Sequence, residues 1–180
     1  MCQFNLAIVD SDSDDLKLKV VFEQNKLHYA VIKVIGFDDQ PGKVYKIVLT
    51  AENDCDCGSV IGSETRHNSP AIRLERDIKK LKEKNWSEIK IKRYLENKKK
   101  ADSGKSAKSG EELEKWNKTI QYCLNNCLTK RFGILIHYFS ESYSKEKFDK
   151  IEISKRKLRE FKLEELKKVE FDKILMIENF

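Results

Sequence analysis

Proline, glycine and long apolar runs are all scarce in this chain. Among its 180 residues there are 2 prolines and 7 glycines, too few for a proline-rich linker, a collagen-like repeat or a low-complexity architecture. No apolar run approaches the roughly 18 residues that a membrane-spanning helix needs. The segment after Met1 lacks the basic start and apolar stretch of an export signal. We therefore expect a cytoplasmic protein with no membrane partner.

Motifs that identify common enzyme classes are also missing. The sequence contains no GxSxG, HExxH or GxxxxGK(S/T) pattern, so it gives no support for a serine hydrolase, a zinc metalloprotease or a P-loop nucleotidase. The loop 57–63 contains glycines and hydroxyl-bearing residues, whose backbone N–H groups can bind an anion, but it lacks the Gly-Lys-Ser/Thr ending of a nucleotide-binding loop and is interpreted first as a structural turn. Whether the protein is an enzyme stays open on this basis.

The apolar pattern predicts an α+β fold in a single domain spanning 1–180. Short apolar runs rich in β-branched residues predict strands, and capped or amphipathic stretches predict helices. The predicted strands are 4–10, 27–35, 43–51, 132–139 and 174–177, and the predicted helices follow caps at 13, 69 and 87 or span 111–128 and 158–169. The order up to residue 139 predicts a ferredoxin-like split βαβ sandwich, in which an antiparallel sheet carries its helices on one face.

Charge is abundant and unevenly distributed along the chain. Lysine and arginine number 36 against 30 acidic residues, for a net charge of +6, and residues 61–131 carry 19 basic against 10 acidic side chains. Residues 69–130 are therefore predicted to be a helical basic expansion of the second crossover, with a flexible linker at 101–110 where Ser, Gly and Lys are concentrated. A positive field of this kind favours an anionic partner.

The segment from Lys79 to Lys108 is the candidate binding site for such a partner. It holds 12 basic against 4 acidic side chains, with Trp86 and Tyr94 among them, and nucleic-acid sites combine positive charge with aromatic side chains that stack on bases. The predicted nucleic-acid contacts are Lys90, Lys92, Arg93, Lys98, Lys99 and Lys100. The alternative is a solvated helix face, because lysine-rich surfaces are common and lysine does not read bases as arginine does.

The cysteines are five in number. An odd count in a chain expected to stay in the reducing cytosol argues against a disulfide framework. In the predicted topology the first and third strands are antiparallel neighbours, so the start of the first lies beside the end of the third. Cys2 begins the first strand, and Cys55 and Cys57 follow the third. The fold therefore predicts that three thiols distant in sequence meet at one edge of the sheet.

This thiol cluster favours a small binding or regulatory protein that holds a metal or a small ligand. Thiolates bind zinc, which prefers four Cys or His ligands in structural sites, and Gly58 lets the chain turn tightly around an ion. The predicted cofactor is zinc, and the predicted metal ligands are Cys2, Cys55, Cys57 and His67. Two alternatives remain open: the three cysteines pack as small buried hydrophobic side chains, or they take part in thiol chemistry.

The chemical alternative makes Cys2 a catalytic nucleophile. Removal of Met1 leaves Cys2 as the N-terminal residue, whose amine can act as a base for its own thiol. Met1-Cys2 followed by an apolar strand resembles the start of class II glutamine amidotransferases, a resemblance confined to that dipeptide and strand. The segment Gln3-Phe4-Asn5-Leu6 stands where that family has Gly-Ile-x-Gly, so the chain is not assigned to it.

The remaining cysteines and two of the histidines are expected to be structural. Cys123 and Cys127 lie on the apolar stripe of a predicted helix, and they are predicted to pack in the core at the opposite sheet edge from Cys2. His28 and His137 fall in predicted strands, where buried polar side chains are usually hydrogen-bonded rather than catalytic.

Overall fold

A computed structural model of the chain describes residues 2–34, 45–51, 55–65, 78–79, 81–83, 86–139, 145, 148 and 151–179, with the backbone alone over 98–108. The strands are β1 (Cys2–Asp10), β2 (Ala30–Ile32), β3 (Tyr45–Leu49), β4 (Arg131–Phe139), β5 (Glu152–Lys157) and β6 (Lys173–Glu178). The helices are α1 (Asp15–Gln24) and α2 (Glu88–Asn125), followed by two short 3₁₀ helices, Leu158–Glu160 and Leu163–Lys168.

The six strands form one open sheet in the order β2-β3-β1-β4-β6-β5. Every neighbouring pair is antiparallel except β5 and β6, which run parallel. The α+β prediction is confirmed, and so is the antiparallel pairing of the first and third strands. The ferredoxin-like split βαβ sandwich is not confirmed, because β6 and β5 extend the sheet beyond β4.

The central strand, β1, is apolar on both faces. Leu6 and Ile8 lie on one face and Ala7 and Val9 on the other, and none of the four is exposed to solvent. Successive side chains of a strand point to opposite faces, so a continuous apolar run of this kind indicates burial on both sides. β1 is therefore held in place by packing on both of its faces.

The helices of the described residues pack on one face of the sheet. Their buried side chains join those of the sheet in one core cluster, which includes Leu18, Val21 and Phe22 from α1, Leu113, Trp116, Ile120, Cys123 and Leu124 from α2, and Leu166 from a 3₁₀ helix. The opposite face carries a second cluster, which includes Leu6, Ile8, Leu135, Phe139 and Phe148.

The start of α1 shows how local chemistry fixes an element boundary. The Asp14 carboxylate accepts hydrogen bonds from the backbone N–H groups of Leu16 and Lys17 at 2.9 and 3.2 Å, so Asp14 is the N-cap. The sequence prediction placed the cap one residue earlier, at Ser13. Ser13 instead closes the preceding turn, since its backbone N–H donates to Asp10 O at 3.1 Å.

The long helix α2 is continuous over 38 residues, which makes it about 57 Å long at 1.5 Å per residue. Its backbone is helical through 101–110, where the sequence predicts a flexible linker between two helices. Gly104 and Gly110 each disfavour a helix by only about 1 kcal/mol. The segment contains no proline, and extending an existing helix is easier than nucleating a second one.

The C-terminal part of the chain departs most from the sequence prediction. The predicted helix 158–169 is two 3₁₀ helices. β5 is not predicted at all, because its six residues are all exposed and therefore show no apolar alternation. An ion pair between Lys155 and Glu178 at 2.9 Å joins β5 to β6 across the parallel pairing. The helix predicted to follow position 69 begins outside the described residues.

Candidate metal centre

The candidate site forms where β1 extends past its neighbour β3. β3 pairs with β1 only from Leu6 to Asp10, and the loop around Asp56 takes its place beside the first residues of β1. The Asp56 backbone N–H donates to Gln3 O at 2.7 Å, and the Asn5 N–H donates to the Asp56 carboxylate at 2.8 Å. The loop thus satisfies backbone groups of β1 that would otherwise lack partners.

A buried polar network anchors the same loop to α2. The Asn5 side-chain amide donates to Ser59 Oγ at 2.7 Å, and Ser59 Oγ donates to the Glu112 carboxylate. Glu112 also accepts the backbone N–H of Val60 at 2.9 Å. Asn5 and Ser59 are both buried. Because buried polar groups are costly unless paired, this network fixes the loop against both β1 and α2.

The loop brings three sulfur atoms together above the end of β1. The Sγ atoms of Cys2, Cys55 and Cys57 all lie within 4.8 Å of one another, and those of Cys55 and Cys57 are 2.9 Å apart. Thiolates bonded to zinc at about 2.3 Å with tetrahedral angles stand about 3.8 Å apart, so shifts of about 1 Å place the three sulfurs at three corners of a zinc site. The predicted meeting of the three thiols is confirmed.

The three thiols are exposed. They therefore do not pack as small buried hydrophobic side chains, which was the alternative interpretation of the sequence. Cys57 Sγ additionally accepts the Gln3 backbone N–H at 3.4 Å, so its position is tied to the strand as well as to the loop. Exposed sulfur atoms held by the backbone are accessible to metal ions and to oxidants in solution.

Hydrogen bonding between the sulfur atoms separates the acidities of the two loop thiols. The contact with Cys57 is the main cause that lowers the pKa of Cys55 below the ordinary thiol value, and a contact with Cys2 acts in the same direction. The same contact with Cys55 is the main cause that raises the pKa of Cys57. Of the two loop thiols, Cys55 therefore ionises at the lower pH.

The fourth predicted ligand, His67, lies outside the described residues. The interpretation of Cys2 as a nucleophile depends on removal of Met1, which also lies outside them, so that interpretation stays a prediction.

His137 is in β4, where its Nδ1 lies 2.5 Å from the Asp172 carboxylate and its ring meets those of Phe139 and Phe148 edge-on. His137 is thus placed by packing and by a carboxylate, as expected for a structural histidine.

The other two cysteines lie at the far end of β1. Cys123 is buried in the helix-side core cluster, and burial raises the pKa of its thiol to about 12. Cys127 is exposed, contrary to the prediction that it packs in the core, because α2 ends at Asn125 and Cys127 falls in the turn that follows. The next residues reach Asp10, so the nine-residue β1 separates Cys127 from the thiol cluster by about 26 Å.

The predicted nucleic-acid residues lie on the N-terminal part of α2. Lys90, Lys92 and Arg93 are exposed, while the side chains of Lys98, Lys99 and Lys100 are outside the described part of the structure. Trp86 and Tyr94 meet edge-on with ring centroids 6.4 Å apart. Trp86 thus packs partly on its own chain, although 40% of it is exposed.

Residues that support the site were not found by sequence reasoning. Asn5, Ser59 and Glu112 belong to no recognisable motif, and they are separated by more than fifty positions at each step. The sequence offers one signal for these residues: Gln3 and Asn5 are polar residues within a largely apolar strand, and both are buried. Buried polar side chains imply partners, but the sequence does not identify them.

Comparisons with known proteins give no family for this chain. No protein-family model, curated protein or solved structure matches it. Within the described part of the chain, no helix has the length and apolar character needed to cross a membrane. The functional interpretation therefore rests on the chemistry of the thiol cluster and of the basic helix.

Proposed function

We propose that this protein binds one thiophilic metal ion, zinc in the first place, through the thiolates of Cys2, Cys55 and Cys57. The observation that carries the proposal is the convergence of three exposed sulfur atoms within 4.8 Å, from two segments more than fifty residues apart. Soft thiolate ligands select zinc and copper(I) over harder cations. Zinc takes four ligands, and we propose His67 for the fourth position.

The site is suited to a bound ion that exchanges with the surroundings. The loop is already attached to β1 and α2 through Asp56, Ser59 and Glu112, so we expect the fold to form without the metal. Structural zinc sites, by contrast, supply much of the folding free energy of the small domains that contain them. Reversible binding of a metal for sensing or transfer fits this arrangement better than a structural role.

Cobalt substitution tests the proposal. Reduced, metal-free protein is titrated with Co²⁺, thiolate-to-cobalt charge-transfer absorption reports sulfur ligation, and competition with Zn²⁺ gives the zinc affinity. We expect one equivalent to bind, and Cys2→Ser, Cys55→Ser and Cys57→Ser each to weaken binding at least about tenfold. Cys127→Ser is the matched control, since it removes an exposed thiol far from the site and leaves binding unchanged.

The outcomes separate the proposal from its alternatives. Wild-type protein that shows no charge-transfer band, or no more than the triple serine variant, contradicts metal binding by the cluster. His67→Gln tests the fourth ligand: an altered cobalt spectrum with retained sulfur bands supports His67, whereas an unchanged spectrum assigns the fourth position to water or to an exogenous ligand.

A second function, nucleic-acid binding, is favoured by a specific observation on α2. Lys90, Lys92 and Arg93 are exposed, and none of them forms an ion pair with the described residues. Some exposed lysines elsewhere are paired with carboxylates, among them Lys17 with Asp14 at 3.7 Å, whereas others, such as Lys26, have no ion pair with the described residues. Uncompensated positive charge along one helix attracts phosphate groups, so we propose this surface for backbone contacts that do not depend on base sequence.

Salt dependence tests this second function. We expect labelled duplex RNA or DNA to bind at about 50 mM salt and to dissociate steeply on addition of salt. The triple variant K90A/K92A/R93A should reduce the slope of log affinity against log salt by about 2.7 if each residue neutralises one phosphate. The control K17A/K19A/K26A removes the same charge from the α1 region and should leave the slope nearly unchanged. Equal effects of the two triple variants would show that net charge alone matters.

A further inference from the structure

The two loop thiols are placed for bond formation with each other. Cys55 Sγ and Cys57 Sγ are 2.9 Å apart, against about 2.05 Å in a disulfide. Asp56 between them is fixed to β1 through both its backbone and its carboxylate, so the two sulfurs flank one anchored residue. Gly58, next to Cys57, has open space around the position of a Cβ, which leaves the chain room to adjust after Cys57.

We propose that Cys55 and Cys57 form a reversible disulfide on reaction with hydrogen peroxide, and that this oxidation releases the metal ion. The release rests on the proposed function, because it presupposes that both sulfurs are metal ligands. A sulfur atom in a disulfide is not a thiolate and no longer serves as a metal ligand. Oxidation therefore removes two of the three sulfur ligands and leaves only Cys2. The site is therefore a redox-sensitive metal site.

The chemistry balances with peroxide as the only oxidant. The Cys55 sulfur attacks one peroxide oxygen, an S–O bond forms, the O–O bond breaks and hydroxide leaves, so that Cys55 becomes a sulfenic acid. The Cys57 sulfur then attacks the Cys55 sulfur, an S–S bond forms, the S–O bond breaks and a second hydroxide leaves. In the metal-free protein the two thiol protons convert both hydroxides to water, and in the zinc-bound protein, where both sulfurs are thiolates, the solvent supplies these two protons. Two thiols are oxidised, and one peroxide is reduced to two waters.

The geometry favours the loop pair over the other cysteines. Cys123 is buried in the core and Cys127 lies at the far end of β1, so neither can reach the loop thiols. Cys2 is held in β1, where it pairs with Phe139 of β4. The sulfur–sulfur approach of 2.9 Å joins two residues of one loop, and closing it leaves the strand pairing of β1 intact.

Peroxide treatment of zinc-loaded and metal-free wild-type protein tests the inference. Intact mass measures loss of two hydrogens, peptide mapping identifies the linked cysteines, and a chromophoric chelator measures released zinc. We expect one zinc released per disulfide, a Cys55–Cys57 link, and recovery of zinc binding after dithiothreitol treatment. Cys2→Ser should still form the disulfide, Cys57→Ser should not, and Cys127→Ser should behave as wild type.

Failure of the inference and failure of the proposed function give different results. Protein that binds zinc and retains it in peroxide, forms a link through Cys2, or proceeds to sulfinic acid without a disulfide overturns the inference alone. Protein that forms the Cys55–Cys57 disulfide but never binds zinc overturns the proposed function and the coupling to metal release, and leaves only the redox pair.

Discussion

Cys55 and Cys57 differ in acidity although they lie two positions apart in one exposed loop. Hydrogen bonding with Cys57 lowers the pKa of Cys55, and the same contact raises that of Cys57. In the metal-free, reduced protein at about pH 7, Cys55 should therefore carry the larger thiolate fraction and react faster with iodoacetamide, because the thiolate is the nucleophile. Peptide mass spectrometry at several reaction times measures both rates.

The difference between the alkylation rates of Cys55 and Cys57 should depend on pH. Because the pKa of Cys55 is lowered and that of Cys57 is raised, the ratio of the two alkylation rates should approach its limit only when the pH exceeds the raised pKa of Cys57, where both thiols are ionised. Cys57→Ser weakens the hydrogen bond and should slow alkylation of Cys55 at pH 7. Equal rates for the two cysteines at neutral pH would contradict the assignment.

Asp10 is a second residue whose role follows from its contacts. Its carboxylate is buried and accepts hydrogen bonds from Thr129, from the backbone of Lys130, and from the backbone and guanidinium of Arg131. Asp10→Asn leaves the Arg131 guanidinium without its counter-charge, so we expect a loss of about 3–5 kcal/mol in the free energy of unfolding. Urea denaturation measures it.

The neighbouring Asp12 supplies the control for Asp10. Its side chain is 74% exposed and lies 4.0 Å from Lys130, and exposed pairs of this kind contribute about 0–1 kcal/mol. Asp12→Asn should therefore leave the free energy of unfolding nearly unchanged. Similar small effects of both substitutions would show that the Asp10 contacts add little to stability.

At the scale of elements, the strands with apolar runs were predictable and the polar or exposed elements were not. β1, β4 and β6 follow from buried apolar residues, whose repetition is a local signal. β5 consists of exposed residues held by pairing to β6, and only the folded chain supplies that partner. The continuity of α2 was missed because glycine and serine in a sequence resemble a linker, whereas their cost within a long helix is small.

The convergence of the thiols was predictable for a topological reason. Antiparallel pairing of β1 with β3 places Cys2 beside whatever follows Leu49, and Cys55 and Cys57 follow it closely. The attachment of that loop to α2 was not predictable, because Glu112 reaches Ser59 and Val60 only through tertiary contacts. Sequence thus identified the sulfur atoms of the site but not the residues that position them.

This attachment gives an element-scale prediction. Glu112→Ala removes the carboxylate that accepts from Ser59 and Val60 but removes no metal ligand and no direct partner of one, so we expect zinc affinity to fall by less than the about 10–100-fold typical of residues hydrogen-bonded to a ligand. The exposed Glu111 is the matched control. Competition titrations with a zinc chelator measure both variants, and equal affinity of Glu112→Ala and wild type would contradict a positioning role for α2.

At the scale of the whole molecule, the metal should stabilise a fold that already exists. The two core clusters bury both faces of the sheet without any contribution from Cys2, Cys55 or Cys57. We therefore expect a cooperative thermal transition in the presence of a chelator and a higher melting temperature with zinc, since a ligand at 100 times its dissociation constant adds about 2.7 kcal/mol. Protein that is unfolded without metal would contradict this expectation.

Coordination at the bound metal is the central claim, and X-ray absorption at the zinc edge measures it directly. For the reduced, zinc-loaded protein we predict three sulfur atoms at about 2.3 Å and one nitrogen or oxygen atom at about 2.0–2.1 Å. Cys127→Ser should give the same spectrum, and Cys2→Ser should lose one sulfur. A first shell of nitrogen and oxygen atoms alone would contradict the assignment of Cys2, Cys55 and Cys57 as the metal site.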